Sequence, residues 1–475
     1  RVMTKEFEES LSFFKDKISD CIKSNKSISI TTHIDCDGLT SGSIIAKALI
    51  REGAKCTIRT SKEFNQKIVE SFKTDSRDFH IITDLGGGFG KDLNQTLGDN
   101  WVILDHHQIS EEEQENQNII NSWKYGIDGG TEICAGGMAY FAAMALNEKN
   151  SDLSEIAVIS ALGDRQDQGE NKSFVGKNFE ISNTAKELGL MEIDLDLLLV
   201  GRETRPLAEA LAFTSQPFIE GLTWNKETCH SLLKSSGIEL KEDGRWRVPA
   251  ELDDEEKKSV IQSIVDFSSE KNISEIMSEL IGYTYTFSKE DKRSFLRDGR
   301  EYSTMLNSCG RINRSGVGMA ICMGDRNKIL TEGEKILTDY RKMIKEYMNI
   351  LSNERWRISE DENCIMVNGE DIVPETMTGT MSSLIAGSPK NAGKVIILRT
   401  KAEENKIKFS SRKSFGCKSD INLSDLMRKG AEKFDGIGGG HNGAAGAKIT
   451  KDKLDEFLKY LEVNVVNMSS SSNSQ

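Results

Sequence analysis

The strongest constraint on the fold is an alternation of short apolar runs with helical patterns along residues 1–205. Residues 27–32 (SISITT) predict a buried strand, and a helical pattern follows at 39–51. Further elements of both kinds come after it, the strands at 55–60, 79–83 and 101–105 and the helices at 133–146 and 153–162. Strands that alternate with helices form βαβ units, so the predicted fold class is α/β with a parallel sheet. In such sheets functional residues gather at the carboxyl ends of the strands.

Acidic and histidine side chains stand where these predicted elements end. They belong to four short motifs, HIDCDG (33–38), TDLGGG (83–88), LDHH (104–107) and ALGDRQD (161–167). Their candidate ligands are His33, Asp35, Asp37, Asp84, Asp105, His106, His107, Asp164 and Asp167. Carboxylates and imidazoles that converge on one edge of a sheet can hold two divalent cations. The pattern therefore predicts a two-metal site.

Each motif also has a structural explanation. An aspartate before glycine often forms a turn or caps a helix, and the glycines after Asp84 suit a tight turn. A DHH triplet also occurs by chance in unrelated sequences. The four motifs occur in one chain, each at the end of an element, and this combination favours the metal site over four independent structural roles.

The rest of the chain predicts further domains, because 475 residues exceed the size of one hydrophobic core. We expect the metal-binding domain at 1–205, a helical and mixed middle region at 206–330 and a connector helix at 331–354. A second α/β domain follows at 355–465, with strands at 394–399 and 406–411 and helices at 423–434 and 453–461. Residues 466–475, rich in serine and asparagine, predict a disordered tail.

Charge and cysteine usage narrow the class of protein. The net charge of −13 has the wrong sign for a protein that coats nucleic acid. Residues 392–450, however, carry 12 Lys and Arg against 6 Asp and Glu, and such a local excess suits phosphate binding. The nine cysteines form no CxxC pair, which favours a reducing compartment, and we expect the cytoplasm. No apolar run is long enough for a membrane helix, so no membrane association is expected.

The four motifs, in this order, resemble motifs I to IV of the DHH phosphoesterases. GIGGGHNGAAG (436–446) resembles the GGGH signature of their second domain, of the DHHA1 type. LRDGREYSTMLNSCGRINRSGVGMAICMGD, within the middle region, resembles the archaeal RecJ-like branch, which includes the GINS-associated nuclease. The resemblance covers about 25–450 and implies a DHH domain followed by a DHHA1 domain.

The resemblance also implies roles for the motif residues. Asp84 would bridge two Mn²⁺ ions (or Mg²⁺), with Asp35 and His33 at the first ion. Asp37, His106 and Asp167 would hold the second ion, with Asp164 as the alternative to Asp167. His107 would contact the scissile phosphate, and Asp105 would orient an imidazole. Many relatives place the motif I histidine four residues before the first aspartate, whereas His33 lies two before Asp35.

Substrate contacts are predicted in the two later regions. By resemblance, Arg412 and His441 face the metal site, and backbone N–H groups at Gly439 and Gly440 approach a phosphate. Lys406 and Lys408 share a strand face with Arg412, or they form a solvated basic edge. In the middle region the predicted contacts are Asn307 and Arg311, with Arg297, Arg300 and Arg314 either guiding the backbone or forming salt bridges. Phe295 and Tyr302 either stack on bases or pack in the core.

These inferences predict a Mn²⁺-dependent exonuclease on single-stranded DNA or RNA that acts in replication or repair. The resemblance implies GINS and the replicative helicase as partners. Two alternatives stay open, a phosphodiesterase for small substrates such as nanoRNA or cyclic dinucleotides, and a scaffold without catalysis. Metal-dependent turnover of a long single strand would separate the first prediction from both.

Overall fold

A computed structural model of the chain describes residues 4–268 and 273–470. The chain forms two compact units, Arg1–Leu337 and Thr338–Gln475. In the first unit the elements up to the last strand of the parallel sheet are α1 (Lys5–Lys23), β1 (Ser27–His33), α2 (Cys36–Arg51), β2 (Lys55–Ser61), α3 (Gln66–Ser71), β3 (Phe79–Thr83), α4 (Gly90–Leu97), β4 (Trp101–Asp105) and β5 (Ile119–Asn121).

The remaining elements of the first unit are mostly helices. They are α5 (Ala135–Leu146), α6 (Ser154–Gly163), α7 (Gly176–Glu187), β6 (Glu192–Leu197), α8 (Leu207–Phe213), α9 (Lys226–Ser235), β7 (Lys241–Glu242), β8 (Arg245–Trp246), α10 (Asp254–Phe267), α11 (Ile273–Leu280), β9 (Ile281–Thr286), α12 (Gly299–Arg311) and α13 (Ser315–Cys322). The long helix α14 (Lys328–Asn353) runs from the first unit into the second, at the position of the predicted connector.

The first sheet is wholly parallel, in the order β2-β1-β3-β4-β5. Its strands are short apolar runs buried on both faces, which is typical of a parallel sheet between helices. Helices α1, α2, α5 and α6 cover one face with a large apolar core, and Val69, Phe72 and Leu93 belong to a smaller core with residues of β3 and β4. The strand order reverses between β1 and β3, and ligands bind at such a switch point in open α/β sheets.

The middle of the chain has an apolar core of its own. Buried residues from Leu197 to Leu280 pack with one another in and around α8, α9, α10 and α11. The antiparallel pair β6–β9 brings the two ends of this stretch together. The predicted helical and mixed character of the middle region agrees with these elements.

The second unit contains a six-stranded mixed sheet in the order β10-β11-β12-β13-β15-β14. Its elements are β10 (Ile358–Glu360), β11 (Cys364–Asn368), α15 (Thr378–Ala386), β12 (Val395–Ala402), β13 (Lys406–Lys413), α16 (Leu423–Lys433), β14 (Ile437–His441), β15 (Ala444–Thr450) and α17 (Leu454–Ser470). Helices α16 and α17 pack on the core beside one face, and α15 contacts β12 and β13. Helix α17 continues to Ser470, past the start of the tail predicted at 466, and 471–475 lie outside the described residues.

Candidate metal centre

The end of β1 brings the first three candidate ligands to the switch point. His33 is the last residue of the strand, and Asp35 caps α2 by accepting a hydrogen bond from the Gly38 N–H at 2.9 Å. A side chain at residue 38 would collide with the His33 carbonyl, so this close approach requires glycine. Asp37 lies in the first turn of α2 and is buried. The tight strand-to-helix turn therefore aims both carboxylates at the carboxyl end of the sheet.

Asp84 follows the neighbouring strand β3 and is the most central of these carboxylates. Its Oδ2 atom lies 3.6 Å from His33 Nδ1, and its Oδ1 atom lies 3.3 Å from His106 Nε2. The backbone of Asp84 has a φ of +62°, a left-handed conformation that few residue types other than glycine and asparagine tolerate well. The two oxygens of Asp84 thus face two different groups of ligands.

The first group consists of His33, Asp35 and Asp84. His33 Nδ1 lies 2.9 Å from Asp35 Oδ2, while its Nε2 atom is 3.0 Å from the Lys62 carbonyl oxygen. A carbonyl only accepts, so Nε2 carries the proton and Nδ1 can present its lone pair to a cation. Burial opposes a charge on this imidazole, but Asp35 and Asp84 outweigh burial and raise the pKa of His33 well above its ordinary value. A cation bound at Nδ1 would displace the proton that the two carboxylates favour there, so the short spacing from His33 to Asp35 is compatible with a ligand role.

The second group consists of Asp37, His106 and Asp164. His106 Nδ1 donates to the Gly129 carbonyl at 2.6 Å, which leaves Nε2 facing Asp37 Oδ2 at 3.1 Å. Asp37 in turn accepts hydrogen bonds from the backbone N–H groups of Ala135 and Gly136, both at 2.9 Å, at the start of α5. This arrangement orients the imidazole and the carboxylate toward the same point.

Of the two aspartates that the sequence offers, Asp164 lies in this group. Asp164 Oδ2 lies 3.8 Å from His106 Nδ1, and burial together with Asp37 raises the pKa of Asp164 to about 8. The carboxylate of Asp167 instead binds the Arg300 guanidinium, with an Nη2–Oδ2 distance of 2.8 Å. The ligand role predicted for Asp167 stays a prediction, and it would require the pair with Arg300 to open.

The chemistry of these side chains fits divalent cations. Asp84 Oδ1 and His106 Nε2 are buried and have no hydrogen-bond partner among the described residues. Leaving such groups unsatisfied costs about 1–3 kcal/mol each, which a cation between them would offset. Burial and the neighbouring Asp37 and Asp35 carboxylates raise the pKa of Asp84 to about 6, as expected for several acids that share one site. Asp35, Asp37, Asp84, Asp164 and the two imidazoles are therefore the candidate metal ligands.

Asp105 and His107 form, with Asp84 and His106, a third group of side chains that could hold a cation. Asp105 is buried, and its Oδ1 atom lies 2.8 Å from both His107 Nδ1 and the His106 backbone N–H. The His107 ring itself is exposed. Partial burial would lower the pKa of His107, but Asp105 raises it to about 9. In the metal-free protein this favours the protonated ring, whose other nitrogen faces away from Asp105.

Two supporting residues were missed in the sequence. Ser160 donates to Asp37 Oδ1 at 2.5 Å from the neighbouring helix α6. Gln166 is fully buried, and its Nε2 atom bonds both Asp164 Oδ2 at 2.8 Å and the Gly129 carbonyl at 2.9 Å. Gln166 thus links the second-group carboxylate to the carbonyl that orients His106. A serine in a helix and a glutamine in a loop carry no sequence signal for such a role, since long-range packing creates the contacts.

The predicted contacts of the middle region have mixed outcomes. Asn307 Oδ1 accepts from the Cys36 N–H at 2.9 Å, so this residue supports the turn that carries Asp35. Three of the arginines form salt bridges, Arg297 with Glu203, Arg300 with Asp167 and Arg314 with Glu332. Phe295 and Tyr302 are buried in the large core, which excludes base stacking by either ring. Arg311 ends α12 and stays a predicted substrate contact.

The predicted substrate residues of the second unit lie side by side on its sheet. Arg412 of β13 and His441 of β14 both pair with Ala444 of β15, so their side chains share one face. Arg412 donates to the Ser383 hydroxyl at 3.1 Å and the Ser411 carbonyl at 2.8 Å, whereas His441 is exposed. Gly439 and Gly440 lie in the edge strand β14, with a two-residue turn after His441. Lys406 pairs with Glu404, but β13 lies between β12 and β15, so this strand is not an edge of the sheet.

Comparison with known proteins gives matches along most of the chain. The DHH family, N-terminal domain matches residues 27–163, the DHH-CID domain matches 199–281, and the DHHA1 domain matches 364–467. An uncharacterized protein of Methanocaldococcus jannaschii is 28% identical over 474 residues, covering 96% of this chain and 97% of that protein. The DHH-CID match coincides with the separate core of the middle region.

Two solved structures share the fold. RecJ of Thermus thermophilus, in complex with Mn²⁺, superimposes with a TM-score of 0.60 at 13% identity, over 96% of this chain and 55% of that one. This chain thus spans about half the length of that RecJ. CDC45 of Entamoeba histolytica superimposes with a TM-score of 0.64 at 14% identity, over 98% of this chain and 99% of that one. Among the described residues, none of the helices is both long and apolar enough to cross a membrane.

Proposed function

Because this chain belongs to the DHH superfamily, with DHH, DHH-CID and DHHA1 domains in order along its length, we propose that it is a metal-dependent phosphodiesterase that trims single-stranded DNA or RNA from an end. The observation that carries the proposal is the placement of Asp84, whose two oxygens face two separate groups of ligands. A carboxylate between two groups of ligands is what a two-cation site requires.

The chain would hold two cations through different ligands. His33, Asp35 and Asp84 would bind the first, and Asp37, Asp84, His106 and Asp164 the second. Imidazole ligands favour Mn²⁺ over Mg²⁺, which prefers oxygen. When bound, such ions lower the pKa of water and stabilise negative charge on a phosphoryl group. His107 would hold a phosphate oxygen through its positive charge, and Asp105 would keep it protonated.

In the second unit, Arg412, His441 and the backbone of Gly439 and Gly440 would bind other phosphates of the same strand. Asn307 would support the Asp35 turn and also offer its amide to the substrate, together with Arg311. Participation in replication or repair, with GINS and the replicative helicase as partners, stays a prediction from the resemblance.

The test uses single strands of DNA and RNA labelled at either end and incubated with the protein and Mn²⁺. Successive shortening of a labelled strand, lost in Asp84→Asn, would support the proposal, and the position of the label would give the polarity. Asparagine is the preferred replacement because it tolerates the left-handed backbone at residue 84. Cleavage of a dinucleotide alone would favour the small-substrate alternative. No turnover by folded, metal-loaded protein would favour the scaffold.

A first prediction concerns the Asp105–His107 pair. Asp105→Asn is expected to lower the pKa of His107 from about 9 toward its ordinary value, because the amide keeps an acceptor oxygen but loses the charge. If kcat/KM falls at alkaline pH because His107 loses its proton, the pH of that fall should decrease by the same number of pH units. The raised pKa also means that the pair stabilises the metal-free fold at low pH and that this contribution is lost as the pH rises to about 9.

NMR titration of the His107 ring in the metal-free protein measures this shift directly. Asp78→Asn is the matched control, since Asp78 lies before β3, at the opposite end of the sheet, and bonds Ser27. An unchanged His107 pKa in Asp105→Asn would contradict the role given to Asp105.

A further inference from the structure

An exposed aromatic ring stands at the tip of a turn directly after β13. The Cys417 N–H donates to the Ser414 carbonyl at 3.2 Å, which closes a four-residue turn with Phe415 and Gly416 at its centre. Gly416 has a φ of +70°, as the third position of a type II turn requires. The Phe415 side chain is 74% exposed. The turn therefore presents a large apolar ring to solvent.

The turn is firmly held in place, so a loose loop does not account for the exposure. Ser414 is buried, and its hydroxyl donates to the Lys394 carbonyl at 2.7 Å while accepting from the Lys394 N–H at 2.8 Å. The Gly393 N–H donates to the carbonyl of Phe415 itself at 2.9 Å. Farther along the same loop, Ile421 is fully buried. Hydrogen bonds on one side and core packing on the other thus hold the backbone that carries the ring.

The surroundings of the ring are cationic and adjoin the predicted phosphate contacts. Residues 411–419, on both sides of the ring in the chain, contain three Lys and Arg and no Asp or Glu. Lys413 Nζ donates to Asn442 Oδ1 at 2.9 Å, and the Lys413 N–H donates to the Gly443 carbonyl at 3.0 Å. These bonds tie the start of the Phe415 turn to the turn that follows His441. The ring, Arg412 and His441 therefore lie at the same end of the sheet.

We propose that Phe415 is a stacking platform for a nucleobase of the bound strand. Aromatic rings beside cations are the usual means by which proteins hold single-stranded nucleic acid without reading its sequence, because every base has a π face. The cationic surroundings favour a phosphate-bearing polymer over the apolar surface of another protein. The inference rests on the proposed function, which supplies a phosphodiester substrate, and it adds that this substrate carries bases that the second unit contacts.

Binding of a fluorescent oligothymidylate to the full chain in Ca²⁺ tests the proposal, with a base-free strand of the same length as the second probe. Phe415→Ala should weaken binding of the oligothymidylate about tenfold, the effect of losing one stacked base, and leave the base-free strand unaffected. Phe415→Tyr keeps the ring and should bind like wild type. Trp224→Ala is the control, because Trp224 is 45% exposed in the first unit and residues 220–228 around it contain one Lys and two Glu.

Three results would overturn the proposal: wild type binding both strands equally, Phe415→Ala weakening both strands alike, or Phe415→Ala binding the oligothymidylate as tightly as wild type. The last result would leave the ring free for a protein partner. Failure of the proposed function looks different, because it is measured as hydrolysis in Mn²⁺. A base-dependent loss of binding in Phe415→Ala, with no hydrolysis by wild type, would uphold the stacking site and reject the nuclease.

Discussion

Asp84→Asn is expected to lower phosphodiester hydrolysis in Mn²⁺ by about 1000-fold or more, because the loss of one charged bridge weakens both cation sites at once. The neutral amide can offer one oxygen to one group of ligands, whereas Asp84 offers an oxygen to each. The backbone should be undisturbed, since asparagine tolerates the φ of +62° at this position. Steady-state rates on a labelled single strand measure the effect.

The same substitution should stabilise the metal-free protein above pH 6. Burial, Asp37 and Asp35 raise the pKa of Asp84 from 3.8 to about 6, so its ionised form is disfavoured in the fold. The metal-free wild type therefore loses stability as the pH rises through this interval, by up to about 3 kcal/mol. Asp84→Asn lacks that loss, and its thermal unfolding in EDTA should show a weaker pH dependence. When Mn²⁺ is added, wild type should become more stable than Asp84→Asn, because it binds the cations more tightly.

Asp78→Asn provides the control for both measurements. Asp78 precedes β3 and Asp84 follows it, so the two carboxylates lie at opposite ends of one strand. The control should keep its activity and its response to Mn²⁺. Activity of Asp84→Asn close to that of wild type would contradict the bridging role, and with it the two-cation site.

The parallel sheet was predictable because its signals are local. Strands β1, β3 and β4 are short apolar runs, and their boundaries agree with the predicted ones to within one residue. The motif residues follow these runs directly. Predicting the strands therefore also predicted which side chains lie together at the carboxyl-terminal edge of the sheet. Helix α1 was missed although Phe7, Leu11, Phe14 and Ile18 have the spacing of a buried helical face after the capping residue Thr4. That signal was available in the sequence.

The details of the site were less predictable, because they depend on residues far apart in the chain. Gln166 turns inward to bind two carbonyls and Asp164, and Arg165 before it has a left-handed backbone with a φ of +54°. Arg300, 133 residues farther along, binds Asp167. No local pattern in ALGDRQD predicts that one aspartate lies beside His106 and the other pairs with a distant arginine.

Substitutions of Asp164 and Asp167, the two aspartates of ALGDRQD, should have clearly different effects on hydrolysis. Asp164→Asn is expected to lower hydrolysis about 100-fold or more, because Asp164 lies with Asp37 and His106 and its loss removes a ligand from one cation. Asp167→Asn should keep most of the activity. It should instead lower the free energy of unfolding by about 1–2 kcal/mol, since the partly buried pair with Arg300 loses its charge.

Calorimetry of Mn²⁺ binding adds a readout that does not depend on turnover. Burial and Asp37 raise the pKa of Asp164 to about 8, so the metal-free carboxyl carries a proton at pH 7 that a bound cation must displace. Wild type and Asp167→Asn should therefore release this proton when Mn²⁺ binds near pH 7, and Asp164→Asn should not. Titrations in buffers of different ionisation enthalpy count the protons. A larger loss of activity and of proton release in Asp167→Asn than in Asp164→Asn would favour Asp167 as the ligand and require the Arg300 pair to open when the metal binds.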